Sequence, residues 1–228
     1  MATSLDLQEQ EQIDALKAFW KQYGNLITWV LILALGAFAA WNGWNWWQRE
    51  QAAKAGAMYE ELDRAVLAGD AQKVARVFAD LKERYPGTAF AWQGALTAAR
   101  LQLEKGDVDG ARTALAWVAE HAGDEESRTL GRLRLAAVLL QARQYDQALA
   151  ELDQAKAPSF EALVADRRGD VLQAAGKREE ARAAYERAYA AMDDKLDYRK
   201  LVEAKLISLG GNPSGGAVAA AAAAAASR

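Results

Sequence analysis

Apolar positions along the chain follow two rhythms. From Leu26 to Trp41 they are continuous, "LITWVLILALGAFAAW", without a charge, and extending the run to Trp47 adds only Asn42, Gly43 and Asn45 as interruptions. Residues 26–47 correspond to roughly 33 Å of helix at 1.5 Å per residue, about one hydrocarbon core. Beyond Arg49 the apolar residues recur at helical spacing instead, in runs separated by "AGDAQ", "YPGT", "EKGD", "HAGDEE", "ARQY", "KAPS" and "AGKRE". Continuous apolarity predicts a helix surrounded by lipid, and the interrupted pattern predicts helices with one face turned to a core.

Aromatic placement separates the first rhythm from an ordinary core helix. Trp20 and Tyr23 precede the apolar run, and Trp41, Trp44, Trp46 and Trp47 close it, with Lys17, Lys21, Arg49 and Lys54 just outside. Tryptophan has an apolar body and one N–H that needs a partner, so it collects where hydrocarbon meets water. The rival reading is a cleavable signal peptide, since Ala37 and Ala39 in "AFA" have the small-residue spacing of a cleavage site. The apolar run exceeds a usual signal core and the preceding "LDLQEQEQID" is acidic, so a retained anchor is expected. Lysine and arginine counts on the two sides do not settle which end lies inside. Within the span, Gly36, Ala40 and Gly43 form a stripe of small residues against which another membrane helix could pack closely.

The second rhythm is a repeat. Gly69, Gly106, Arg143 and Gly176 fall in equivalent breaks, at intervals of 37, 37 and 33 residues. Five residues after each come Val74, Ala111, Ala148 and Ala181; then Phe78, Leu115, Leu152 and Tyr185; then Leu81, Val118, Ala155 and Ala188. Small residues flanked by large ones at these offsets let two antiparallel helices approach closely and bury the next pair against them. Met58, Leu62 and Ala65 would begin the stack, and a last helix would close it with Leu201, Ala204, Lys205 and Leu209. After "GGNPSGG", Ala217 to Ala226 is nearly pure alanine, with nothing large to bury, and is expected to be disordered or transiently helical.

The period and the paired helices resemble the tetratricopeptide repeat. The unit "RRGDVLQAAGKREEARAAYERA" carries the likeness best: Gly169, Leu172, Gly176, Ala181, Tyr185 and Ala188 occupy signature positions, and Pro86 stands where the first unit would carry its proline. Ala99 and Ala136 replace the early glycine in the middle units, and Arg143 replaces the later one. The expected fold is therefore all-α: one N-terminal transmembrane helix followed by a tetratricopeptide-like α-solenoid of helical hairpins. Its divisions are a segment at 1–25, the membrane helix at 26–47, repeats at 48–209 and a Gly/Ala-rich tail at 210–228. Carrying over the family's groove positions implies a partner-binding face made of Gln93, Leu96, Arg100 and Leu103, then Leu133, Ala137 and Leu140, then Leu163, Asp166, Asp170 and Gln173. The leucines among them have an equal claim to be interhelix packing.

Composition narrows the function classes. The net charge is -3, so no basic field is present for nucleic acid. There is no cysteine and one histidine, His121, placed at a helix end where a cation suits the dipole. Adjacent carboxylates such as Glu60/Glu61, Glu125/Glu126 and Asp193/Asp194 point apart on a helix and coat a solvated face. No phosphate loop, nucleophile elbow or HExxH is found. No catalytic residue, cofactor or metal ligand is expected.

Several stretches in order are similar to the ancillary subunits of the bacterial SecYEG translocon, YfgM-like proteins: "EQEQIDALKAFWKQYGN", the span ending in "GWNWWQ", "LVADRRGDVLQAAGKREEARAAYERA" and "EAKLISL". The resemblance covers residues 1 to about 209. It implies a single-pass inner-membrane protein with its N-terminus in the cytoplasm and its repeats in the periplasm. It further implies a non-catalytic scaffold or accessory chaperone at the export channel. The partners it implies are SecYEG, a membrane-anchored periplasmic chaperone of the peptidyl-prolyl isomerase type, and emerging secreted or outer-membrane polypeptides. The same fold would serve a tethered assembly factor or regulator of other envelope machinery.

Overall fold

The computed structural model describes residues 7–213, and every regular element among them is helical. The expectation for the alanine-rich stretch falls outside the described residues, as does the start of the N-terminal segment. The first helix, α1, runs Leu7–Leu67. The chain divides into two compact units at Gln51/Ala52, within this helix.

In the first unit α1 carries the apolar run, the one helix among the described residues long and apolar enough to cross a membrane. A core helix of equal length would be covered, whereas Leu33, Phe38 and Trp41 are each about two-thirds exposed. Two polar side chains of the run, Thr28 and Asn42, are bonded to their own helix. The Thr28 hydroxyl donates to Gly24 O at 2.8 Å and Asn42 Nδ2 donates to Phe38 O at 2.9 Å, which removes donors that hydrocarbon could not satisfy. At the ends of the run the rings associate, Phe19 with Tyr23 at 5.1 Å and Trp44 with Trp47 at 5.3 Å.

The second unit is a series of helical hairpins. The end of α1 pairs with α2 (Ala71–Arg84), α3 (Ala89–Glu104) with α4 (Val108–His121), α5 (Glu125–Gln141) with α6 (Tyr145–Gln154), and α7 (Glu161–Ala174) with α8 (Arg178–Ala191); α9 (Tyr198–Ser208) follows. Each turn inside a hairpin puts its equivalent residue in the left-handed region: φ is 67° at Gly69, 82° at Gly106, 58° at Arg143 and 79° at Gly176. The same pair of backbone bonds closes each helix there, for example Gly106 N–H to Leu103 O at 3.0 Å and Asp107 N–H to Gln102 O at 2.8 Å. Asp70 and Asp107 then start the next helix by accepting the N–H of Lys73 and Gly110, both at 2.9 Å. The repeat register read from the sequence is thus a register of backbone turns.

The core follows the same register. Val74, Ala111, Ala148 and Ala181 are buried, as are Phe78, Leu115, Leu152 and Tyr185, and Leu81, Val118 and Ala188. Ala155 is only half-buried because α6 stops at Gln154. Pro158 explains the short helix: it holds Ala157 in an extended conformation and opens a single 3₁₀ turn, Pro158–Phe160. The buried Thr129 hydroxyl accepts the freed Ala157 N–H at 3.2 Å. Glycine is used where helices cross most closely. A Cβ on Gly169 would lie 2.4 Å from the Tyr185 ring, and one on Gly131 would lie 2.9 Å from Ala119 N.

The stack opens as expected, with Leu62 and Ala65 buried and Met58 packed beside them. It closes with only part of the expected face: Lys205 and Leu209 turn inward as expected, and Leu209 packs against the cluster that holds Leu206. Val202 and Leu206 are the buried residues of α9, while Leu201 and Ala204 are exposed. Val202, Lys205, Leu206 and Leu209 thus share the inner face, with Lys205 held by carboxylates of α7.

Candidate partner-binding groove

Between α3 and α5 lies an open depression of about 290 Å³. Helical spacing brings Leu96, Arg100 and Leu103 of α3 to one side and Ala137 of α5 to the other, with Leu115 of α4 contributing to the floor. Four residues carried over from the repeat family are therefore assembled here. Arg134 and Gln141 also line the depression and were not among them. They sit three residues before and four after Ala137, so its helical neighbours were the signal that could have found them.

The other carried-over residues have separate surroundings. Leu133 is buried in the core, Leu140 is half-buried against it, and Gln93 is half-buried on α3. Leu96 also packs into the core, so it serves the depression as floor rather than as a projecting contact. Leu163 stands exposed on α7.

Asp166, Asp170 and Gln173 of α7 belong to a closed polar cradle. Asp166 is 2% exposed, accepts from Lys205 Nζ at 2.8 and 3.0 Å, and accepts the Tyr198 hydroxyl at 2.7 Å. Asp170 accepts from Lys205 Nζ at 2.7 Å and from the Tyr185 hydroxyl at 2.9 Å; that hydroxyl also lies 2.9 Å from Gln173 Oε1. One lysine of α9 thus bridges two carboxylates of α7, over the Tyr185 ring at 5.5 Å, and Arg167 supplies a second positive charge 3.5 Å from Asp170. Burial, and then the two negative charges, push the Tyr185 and Tyr198 hydroxyls far above the usual phenol range. Nearby, the Arg199 guanidinium lies 4.1 Å over the Tyr189 ring, fastening α9 to α8.

The remaining ionisable candidates are local fixtures. The His121 ring stacks on Trp117 at 5.2 Å, with Nδ1 3.1 Å from Trp117 O, at the last residue of α4. Asp124 caps α5, accepting Ser127 N–H at 2.7 Å and its hydroxyl at 2.8 Å; these bonds hold its carboxyl below the usual range. Glu125 pairs with Arg128 at 2.9 Å, and Glu61 with Lys73 at 3.1 Å. No group of three metal-ligating side chains occurs among the described residues. On α1 Gly36, Ala40 and Gly43 are exposed, and a Cβ at either glycine would meet nothing within 4 Å.

Comparison with known proteins adds the following. The tetratricopeptide repeat-like domain family matches residues 17–211. An ancillary SecYEG translocon subunit of Neisseria gonorrhoeae is 31% identical over 204 residues, covering 89% of this chain and 98% of that protein. Proteins of the same description from Haemophilus influenzae and Escherichia coli K12 are each 33% identical; they cover 80% and 78% of this chain, and 89% and 85% of their own lengths. Among solved structures, a fragment of MamA from Desulfovibrio magneticus RS-1 is 16% identical with a TM-score of 0.49, covering 69% of this chain and 89% of that one.

Proposed function

The chain belongs to the family of ancillary SecYEG translocon subunits, built on a tetratricopeptide repeat-like domain, and from that premise we propose that it is a non-catalytic scaffold tethered beside the export channel. Residues 26–47 anchor it in the inner membrane, with the N-terminus in the cytoplasm and the hairpins in the periplasm. The hairpins hold a membrane-anchored chaperone of the peptidyl-prolyl isomerase type, or polypeptides as they emerge, through the face that includes the α3–α5 depression. The small-residue stripe of Gly36, Ala40 and Gly43 packs on a membrane helix of the channel.

One observation carries this reading. The same chain has an apolar helix with aromatic rings at both ends and, separately, a stack of hairpins with an open, partly apolar depression. A tether joined to a docking surface supports the holding of one protein near another. Purification of the full chain in mild detergent, with a photocrosslinking side chain replacing Gly36 or Gly43, tests it: channel subunits should copurify and crosslink. A chain that never captures them is not a translocon subunit in this sense. A reporter active only in the periplasm, fused after Leu209, should be active, and an inactive one would place the hairpins on the wrong side for export.

A further inference from the structure

The depression and the cradle use the same repeat positions with opposite outcomes. Leu96, Leu133 and Asp166 share one register, and Arg100, Ala137 and Asp170 share another. At the α7 positions the carboxylates are already met by the ammonium and phenol of α9. Between α3 and α5 the charge is positive and largely unmet. Arg134 is exposed and has no hydrogen-bond or ion-pair partner among the described residues. Arg100 meets only Glu104 of its own helix, at 3.8 Å, with both side chains more than half exposed. None of the residues lining the depression is acidic, and its floor is apolar, with Leu96, Leu115 and Val138 nearly inaccessible.

We propose that this depression receives a segment of a partner protein in which an aspartate or glutamate stands beside an apolar side chain. The carboxylate is held by the guanidinium groups of Arg100 and Arg134, which present planar forks suited to it. The apolar neighbour covers Leu103 and the floor. A segment with lysine or arginine at the same place is rejected by like charge. The inference rests on the reading of the hairpins as a docking surface and names the chemistry docked there.

The test uses the full chain in detergent micelles and a degenerate library of peptides about twelve residues long, a length suited to a groove. Retained peptides should be enriched in Asp and Glu next to Leu, Ile or Phe. The double variant Arg100→Glu, Arg134→Glu should lose that preference. A retained peptide, resynthesised, should bind about tenfold more weakly to Arg134→Ala, and more weakly still at high salt. Retention of the same peptides by the double variant, a preference for basic or wholly apolar peptides, or no retention at all would overturn the proposal. Channel subunits take no part in this measurement. A chain that captures acidic peptides but no channel would refute only the translocon reading, and the reverse result would refute only this one.

Discussion

The α7–α9 cradle and the α3–α5 depression are two versions of one face. In the cradle a carboxylate with 2% exposure is surrounded by a lysine and a tyrosine from α9, so the charge is buried and internally compensated. In the depression the arginines remain in solvent, where a charge costs little and contributes little to the fold. A buried pair becomes expensive when one member is removed, because the other stays desolvated and uncompensated. The cradle therefore holds the end of the stack together, while the depression is free to serve a ligand.

The sharpest way to break this contrast is Lys205→Met. It should destabilise the cradle by about 3 kcal/mol or more. Because hairpins mainly contact their neighbours, hydrogen exchange in the full chain should speed up in α7 to α9 and leave α3 to α5 protected. Adding Asp166→Asn should restore part of the loss; equal exchange in the variant and the parent would mean that the cradle is not a buried ion pair. Gly169→Ala attacks the same region through volume, since its Cβ would sit 2.4 Å from the buried Tyr185 ring. We expect a cost of about 1–3 kcal/mol in thermal unfolding.

Alkaline titration compares the cradle with the rest of the molecule. Tyr185 and Tyr198, two of the chain's seven tyrosines, should not ionise near the ordinary value of 10 while the cradle is folded. A folded value raised above the unfolded one means that the stability from these protons is complete below pH 10 and is lost as pH climbs above it. Tyrosinate absorbance should therefore show a late fraction that appears only as the helical signal falls; seven phenols titrating together near pH 10 would contradict the cradle geometry.

A smaller effect sharpens the register shared by all hairpins. Arg143 is the non-glycine residue at φ 58° in a position that is glycine in the other three hairpins. Arg143→Gly should raise stability by up to about 1 kcal/mol by relieving a left-handed side chain. At the low end, Arg134→Ala should change thermal stability by less than about 0.5 kcal/mol, since its side chain is exposed and has no hydrogen-bond or ion-pair partner among the described residues. A large loss there would make Arg134 a structural residue and remove the distinction between the two regions.

Much of the architecture was legible in the residues. The apolar run with tryptophans at its ends marks α1, and the spacing of Gly69, Gly106, Arg143 and Gly176 marks turns that all adopt positive φ. Val74, Ala111, Ala148 and Ala181 follow each turn at a fixed offset and are all buried. The site was less legible. Sequence placed Leu96, Arg100, Leu103 and Ala137 on facing helices, and the structure joins them in one depression while adding Arg134 and Gln141. Asp166, Asp170 and Gln173 carry the same positional signal, yet the two aspartates meet α9 and Gln173 meets Tyr185 of α8.

The division has a physical cause. Turn chemistry, helix periodicity and apolar length act between residues close in the chain, so this sequence by itself determined the long apolar helix, the hairpins and the residues sharing each helix face. What each face meets is decided by the crossing of helices far apart in sequence. Lys205 reaches Asp166 across 39 residues and Asp170 across 35, and only the packed structure brings that cation to those carboxylates. The same packing leaves Arg134 in solvent, because a long charged side chain is drawn inward only where the neighbouring hairpin offers it an opposite charge.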